Sequence, residues 1–155
     1  MPPNWVDVVS GGGILSGIGT GLAQAHPEKN YLGIELGWVY VQRTLRKINL
    51  AGVKNVRVMQ ADIRVALERA FLEKSLHNAF SLFPCPWPKK RHAKFRLFSN
   101  GFLKLINSRI ADDGEVLVVT DSRFYLEWIL SQVPGTGFEA CSKMVSPRFF
   151  TKYER

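Results

Sequence analysis

Short apolar runs alternate with segments whose apolar residues recur every three or four positions. Trp5–Val9, Tyr31–Glu35, Asn55–Met59, Asn78–Phe83 and Glu115–Thr120 are strand-sized runs with little polar alternation. Between them, Val41, Leu45 and Ile48 fall at helical spacing in a segment that stops at Ala51-Gly52. Asp62 is suited to cap a helix that carries Ile63, Leu67 and Phe71 on one face. Phe98, Phe102 and Leu105 mark another helix, ended near Asp112-Asp113-Gly114, and Phe124 and Trp128 begin one more. Ile14, Ile18 and Leu22 share a face as well. Gly17, Gly19 and Gly21 interrupt that segment, at up to roughly 1 kcal/mol each relative to alanine. Strands in alternation with helices predict an α/β fold with a doubly wound, mostly parallel sheet. A sheet covered on both faces explains why its strands read as apolar runs. The tail adds two expected antiparallel strands, Phe138–Val145 and Phe149–Tyr153. No repeat or linker breaks the pattern, so residues 1–155 are expected to form a single domain.

Composition changes this picture little, and charge changes it more. Hydrophobic residues make up 46% of the chain and charged residues 22%, ordinary values for a globular protein with a real core. The longest apolar stretches, such as Val116–Val119, are far short of a membrane span. Met1-Pro2-Pro3-Asn4 has the marks of no secretory signal, and Cys85 and Cys141 are too few for a disulfide framework. A cytoplasmic location is expected. Against this ordinary background, 21 Lys and Arg face 13 Asp and Glu, a net charge of +8. Such a balance suits a polyanionic partner. Residues 89–96, Lys-Lys-Arg-His-Ala-Lys-Phe-Arg, hold five of the cations in eight positions, a patch and not a scatter.

In an open α/β sheet the ligand sits beyond the carboxyl ends of the strands. The residues there are Ser10–Gly13, Glu35, Asp62, Pro84–Lys94 and Asp121. Two glycine clusters follow the first run, Gly11-Gly12-Gly13 and Gly17-x-Gly19-x-Gly21. A dinucleotide-type unit places its acidic residue about twenty positions after its glycine loop. Gly13 to Glu35 is 22 positions and Gly21 to Glu35 is 14, so the first cluster fits as the loop. A glycine cluster alone is equally a plain flexible turn. Glu35 ends its strand where a carboxylate can accept both ribose hydroxyls. Asp62 ends the next, where it can accept an adenine amino group or simply cap a helix. Together they describe an adenosine site. No phosphate-binding lysine follows the glycines, which favours S-adenosylmethionine over a nucleoside triphosphate. No metal ligand set is expected.

The segment Leu82-Phe83-Pro84-Cys85-Pro86-Trp87-Pro88-Lys89-Lys90-Arg91-His92 is the most specific in the chain. Three prolines in five positions fix φ and predict a stiff lip at the end of the fourth strand. Trp87 offers a flat face to a base, and the following cations can grip phosphates. Thr120-Asp121 brings another carboxylate to the same rim.

Phe-Pro-Cys-Pro-Trp-Pro-Lys-Lys-Arg-His resembles the Phe-Pro-Asp-Pro-Trp-x-Lys-x-Arg-His signature of bacterial tRNA (guanine-N7)-methyltransferases. Thr120-Asp121 with Tyr125, Thr151-Lys152-Tyr153-Glu154, Tyr31–Glu35 and Asn55–Met59 are similar to further motifs of that family. The order and spacing match from about Tyr31 onward. The resemblance implies a Rossmann-like class I fold and methyl transfer from S-adenosylmethionine to guanine N7 in the tRNA variable loop. It implies no membrane partner and no DNA. It assigns Ser10, Gly11, Gly12, Gly13, Glu35 and Asp62 to the cofactor, and Lys89, Asp121, Thr151 and Glu154 to the guanine nucleotide. It assigns residues 91–96, with Arg91, His92, Lys94 and Arg96, to the RNA. Asp121 and Cys85 stand at the catalytic positions.

Three departures from the family pattern follow. Ser10 stands where the family has Glu at the end of the first strand, Cys85 stands where it has Asp, and the chain reads as shortened at both ends. Two rival readings stay open at this point. One is a non-catalytic RNA-binding protein that keeps the fold and the basic rim. The other is a methyltransferase for a small molecule, against which the basic cluster counts.

Overall fold

A computed structural model of the chain describes residues 6–10 and 15–141, with the backbone alone for 6–10 and 15–19. The apolar runs become five strands: β1 (Val6–Ser10), β2 (Asn30–Glu35), β3 (Val56–Gln60), β4 (Leu76–Leu82) and β5 (Val116–Val119). Helices fill the intervals: α1 (Leu15–Ala25), α2 (Trp38–Ala51), α3 (Ile63–Arg69), α4 (Asn100–Arg109) and α5 (Arg123–Gln132). A 3-10 helix at Lys90–Phe95, not anticipated by periodicity, carries the basic run.

The strands form one sheet in the order β3-β2-β1-β4-β5, and every pairing is parallel. The chain steps outward from β1 to β3, returns across β1 to β4, and then steps outward the other way. The reversal between β1 and β4 is the switch point of a doubly wound sheet. Residues 138–141 of the first expected terminal strand carry no strand. The rest of that segment and Phe149–Tyr153 lie outside the described residues.

Each face of the sheet has its own core. On one, Leu67, Leu76, Phe102, Ile106, Tyr125 and Ile129 pack β4 against α3, α4 and α5. On the other, Ala23, Tyr31, Val56 and Leu82 pack with Leu22 and Ile48 of α1 and α2. Parallel strands covered on both sides have no polar face to show, hence their apolar runs.

Helix boundaries follow their caps more closely than their apolar spacing. Asp62 caps α3 by accepting from Arg64 N at 2.9 Å. Ser99 and Ser122 cap α4 and α5 by accepting from Phe102 N and Tyr125 N. Phe71 therefore falls beyond the end of α3, and Phe98 lies just before α4. Phe98 is nonetheless buried, edge-to-face with Phe102 at 5.5 Å. Leu45, expected on the inner face of α2, is exposed, and Thr44 is buried in its place. Thr44 conceals its hydroxyl by donating to Tyr40 O at 2.8 Å, which makes it compatible with an apolar surface. α2 ends on Gly52, whose φ of 67° is the left-handed conformation that glycine takes without strain. Asn55 donates to the carbonyls of Ala23, His26 and Lys29, tying the turn before β2 to the start of β3.

Candidate active site

A cleft of about 320 Å³ opens at the carboxyl ends of β2, β3 and β4, beside the switch point. Glu35 and Leu36 form one wall, Asp62 a second, and Ser81, Cys85 and Trp87 a third. Parallel strand order brings these together although they span more than fifty positions of sequence. Ser10 ends β1 with Ile34 and Ser81 as its backbone partners on either side, at the centre of the same edge. Gly11, Gly12, Gly13, Thr151 and Glu154 lie outside the described residues.

The acidic walls are held in place locally. Glu35 is buried, and its Oε1 accepts from Gly37 N at 2.9 Å. That bond fixes the carboxylate and leaves Oε2 for a ligand. Asp62 is more engaged. Oδ1 accepts from Arg64 N at 2.9 Å and Nε at 3.2 Å, and Oδ2 accepts from Arg64 Nη2 at 3.0 Å. The Arg64 side-chain hydrogen bonds hold the Asp62 carboxyl below its usual range, with the backbone N–H adding to the effect. The Val65 backbone N–H adds to this set, so the carboxylate is largely engaged by its own helix terminus.

The sign of the Asp62 effect is testable. A carboxyl with a depressed folded-state pKa stabilises the fold above its unfolded pKa, and that contribution fades as pH falls through the folded value. Asp62→Asn keeps a cap acceptor but loses the charge. The parent is therefore expected to be the more stable at pH 7, with the gap shrinking below about pH 4. Urea titrations of both proteins across that range check this; a gap that widens in acid contradicts it.

The third wall follows β4. Phe83 and Trp87 both take left-handed backbone conformations, with φ of 51° and 45°. They flank Pro84-Cys85-Pro86, so the lip enters and leaves through two strained residues. Phe83 N donates to Val119 O at 2.7 Å, anchoring the entry. At the exit, Trp87 packs with His92 and Phe95 at centroid distances of 5.5 and 5.1 Å, and Lys94 lies 5.2 Å from the Phe95 ring centre. Cys85 is exposed at the crest.

The basic run divides. Lys89, Lys90, Arg91 and Lys94 are exposed and His92 is half-buried; among the described residues no ion pair engages the four cations. Arg96 departs from the expectation that it faces RNA. It is 6% exposed and points inward. Arg96 is the extended residue that ends the 3-10 helix, two positions past Lys94, so its side chain leaves in a different direction, which a count of cations does not show. Asp121 stands exposed past β5, on the same edge of the sheet but outside the cleft lining. Tyr125 is fully buried and stacks on Trp128 at 5.8 Å; burial pushes its phenol above the usual range.

Leu36 and Ser81 are among the cleft residues that escaped the sequence reading. Leu36, next to Glu35, is a large apolar residue left exposed. Ser81 is 6% exposed, and its Oγ has no hydrogen-bond partner among the described residues. A hydroxyl inside the apolar run Phe80-Ser81-Leu82 was the available signal. A buried polar atom without a partner is costly unless a ligand completes it.

A doubly wound parallel sheet with its cleft at this edge defines the Rossmann-like class I methyltransferase fold. Solved structures of that class match at TM-scores of 0.64 and 0.62: a precorrin-6y C5,15-methyltransferase from Geobacter metallireducens, and a ribosomal protein L11 methylase from Lactobacillus delbrueckii. Identities are only 12% and 14%, over 87% and 92% of this chain and 65% of each of theirs. Within the class, a family model described as "Putative methyltransferase" matches residues 3–154, and the chain belongs to that family. Curated relatives named tRNA (guanine-N(7)-)-methyltransferase include those of Chlorobium phaeobacteroides and Alkalilimnicola ehrlichii, 36% and 38% identical over 86% of this chain. A Thermotoga maritima relative of the same name is 34% identical. The chain spans 65%, 59% and 41% of those three proteins' lengths.

Proposed function

We propose that the chain catalyses methyl transfer from S-adenosylmethionine to N7 of a guanine in the variable loop of tRNA, in the cytoplasm. The observation that carries this reading is the convergence of Glu35, Asp62 and the Pro84–Trp87 lip on one cleft, with four exposed cations beside it. The names of its relatives support the same substrate.

The cleft suits the adenosine part of the cofactor. Its volume lies at the low end for small-molecule sites, and it combines an apolar wall, two carboxylates and the unpaired Ser81 hydroxyl. Glu35 Oε2 would accept from ribose hydroxyls. Asp62, at the far wall, would accept from the adenine amino group in exchange for part of its Arg64 pairing, and Leu36 would cover the base. When bound there, S-adenosylmethionine supplies an electrophilic methyl group.

Guanine N7 carries a free lone pair, so no base is needed before it attacks. The work left to this chain is orientation and exclusion of water, which can lower a barrier by several kcal/mol. Trp87 and Phe95 offer apolar faces at the cleft for a base. Lys89, Lys90, Arg91 and Lys94 hold phosphates outside it. Asp121, Thr151 and Glu154 supply acceptors for the donor edge of guanine and offset positive charge developing on the ring.

The test is calorimetry with S-adenosylmethionine followed by methyl transfer to unmodified tRNA. Binding and transfer support the proposal; tRNA binding without either makes the chain an RNA-binding member of its family. Glu35→Ala is expected to weaken cofactor binding by about tenfold, as for a lost hydrogen bond to a charged group. Unchanged affinity in that variant removes Glu35 from the site.

A further inference from the structure

Arg96 is the only strongly buried cation among the described residues. Among the described residues its polar partners are carbonyls of the lip, and no carboxylate pairs with it. Nε donates to Pro86 O at 3.2 Å and to Trp87 O at 3.1 Å, and Nη2 donates to Trp87 O at 3.0 Å. Its Cζ lies over two rings of α5, 4.9 Å from the centre of Phe124 and 5.1 Å from that of Trp128. A planar fork with stacking faces is what arginine offers and lysine lacks.

This places one side chain between two elements that meet the substrate from different strands. The lip leaves β4 and carries Cys85 and Trp87; α5 follows β5 and Asp121. The lip also needs a restraint. Left-handed residues such as Trp87 are strained and persist only where the surroundings enforce them. The two carbonyls that Arg96 holds belong to Trp87 itself and to the proline before it.

We propose that Arg96 is a positioning residue: it locks the Pro84–Trp87 lip onto α5 and so fixes where Cys85 and Trp87 stand at the mouth of the cleft. The catalytic consequence rests on the methyl-transfer reading above, whereas the lock itself does not. Lys89, Lys90, Arg91 and Lys94 would meet RNA directly. Arg96 would act only through the lip.

The experiment reads the lip without using activity. In a Cys141→Ser background Cys85 is the sole thiol, and its rate of labelling by dithiobis(nitrobenzoate) reports how the lip is held. Arg96→Lys keeps the charge and loses the fork, and labelling is expected to rise, by about tenfold at most, because the thiol is already exposed and the gain comes only from a lip that is held less firmly. Phe124→Leu removes one stacking face at an exposed position, and a smaller change in the same direction is expected. It serves as the readout should Arg96→Lys fail to fold. With tRNA, Arg96→Lys is expected to lower kcat by up to about a hundredfold, as for a misplaced reactive group, with KM for tRNA nearly unchanged. A direct phosphate contact would instead raise KM and reduce the salt slope. Labelling at or below the parent rate in both folded variants overturns the lock. Raised labelling in a chain whose parent transfers no methyl group keeps the lock and rejects the methyl-transfer reading.

Discussion

Replacing Lys89, Lys90, Arg91 and Lys94 together by alanine is expected to reduce the log–log salt slope of tRNA binding by about 3. Each phosphate contact releases counterions and contributes roughly 0.7 to 0.9 to that slope. Removing four such cations should weaken binding near 0.1 M salt by roughly a thousandfold, with the two proteins converging toward 1 M. All four cations are exposed around one 3-10 helix and lie free of ion pairs among the described residues, so alanine leaves no unpaired carboxylate behind. Fold and cofactor affinity should therefore survive. Filter binding across a salt series checks the result. An unchanged slope with unchanged affinity makes the run a solvated face; an unchanged slope with a tenfold fall in affinity places the RNA-binding surface elsewhere and leaves the run a conformational part.

The contrast between these four and Arg96 shows where sequence reading stops. A strand buried on both faces must be apolar along its length, so the positions of the strands were legible to within a residue or two; their order was not, because more than one doubly wound order satisfies parallel pairing with helical crossovers. The cleft edge followed from parallel pairing alone, because the first residues past parallel strands share an edge. Which way a side chain turns after a strand was not legible. Periodicity fixes direction only inside regular elements, and the Pro84–Arg96 segment has none until its 3-10 turn. Five cations in eight positions look equivalent as letters, yet one turns inward to hold two carbonyls and two rings. Leu45 and Thr44 exchange places for a related reason: a threonine that bonds its own helix behaves as an apolar residue, and its polarity in the sequence conceals that. Asp62 was legible as a cap. Its partner Arg64 was not, because the bidentate pair depends on side-chain reach across a single turn.

Cys85→Asp is expected to raise methyl transfer to tRNA by about ten- to a hundredfold at saturating cofactor. The resemblance places an aspartate at this position, between Pro84 and Pro86, and the structure sets Cys85 exposed at the crest of the lip and in the wall of the cleft. Both flanking left-handed residues and the bonds that hold them lie outside the Cys85 side chain, so the substitution leaves the lip's frame alone. A thiol is a weak acceptor and mostly neutral at pH 7, whereas a carboxylate accepts N–H groups strongly. One charge-assisted hydrogen bond of roughly 1.5–3 kcal/mol, if made in the transition state, corresponds to that gain. The exposed position means that the new charge costs little desolvation. Cys85→Ser separates the alternatives, since a hydroxyl restores size without charge and should gain little. Single-turnover rates of parent, Ser and Asp proteins decide the matter. An Asp variant that binds cofactor normally and is no faster shows that position 85 no longer faces the reacting base. A slower one gives the thiol a direct part in this chain's chemistry.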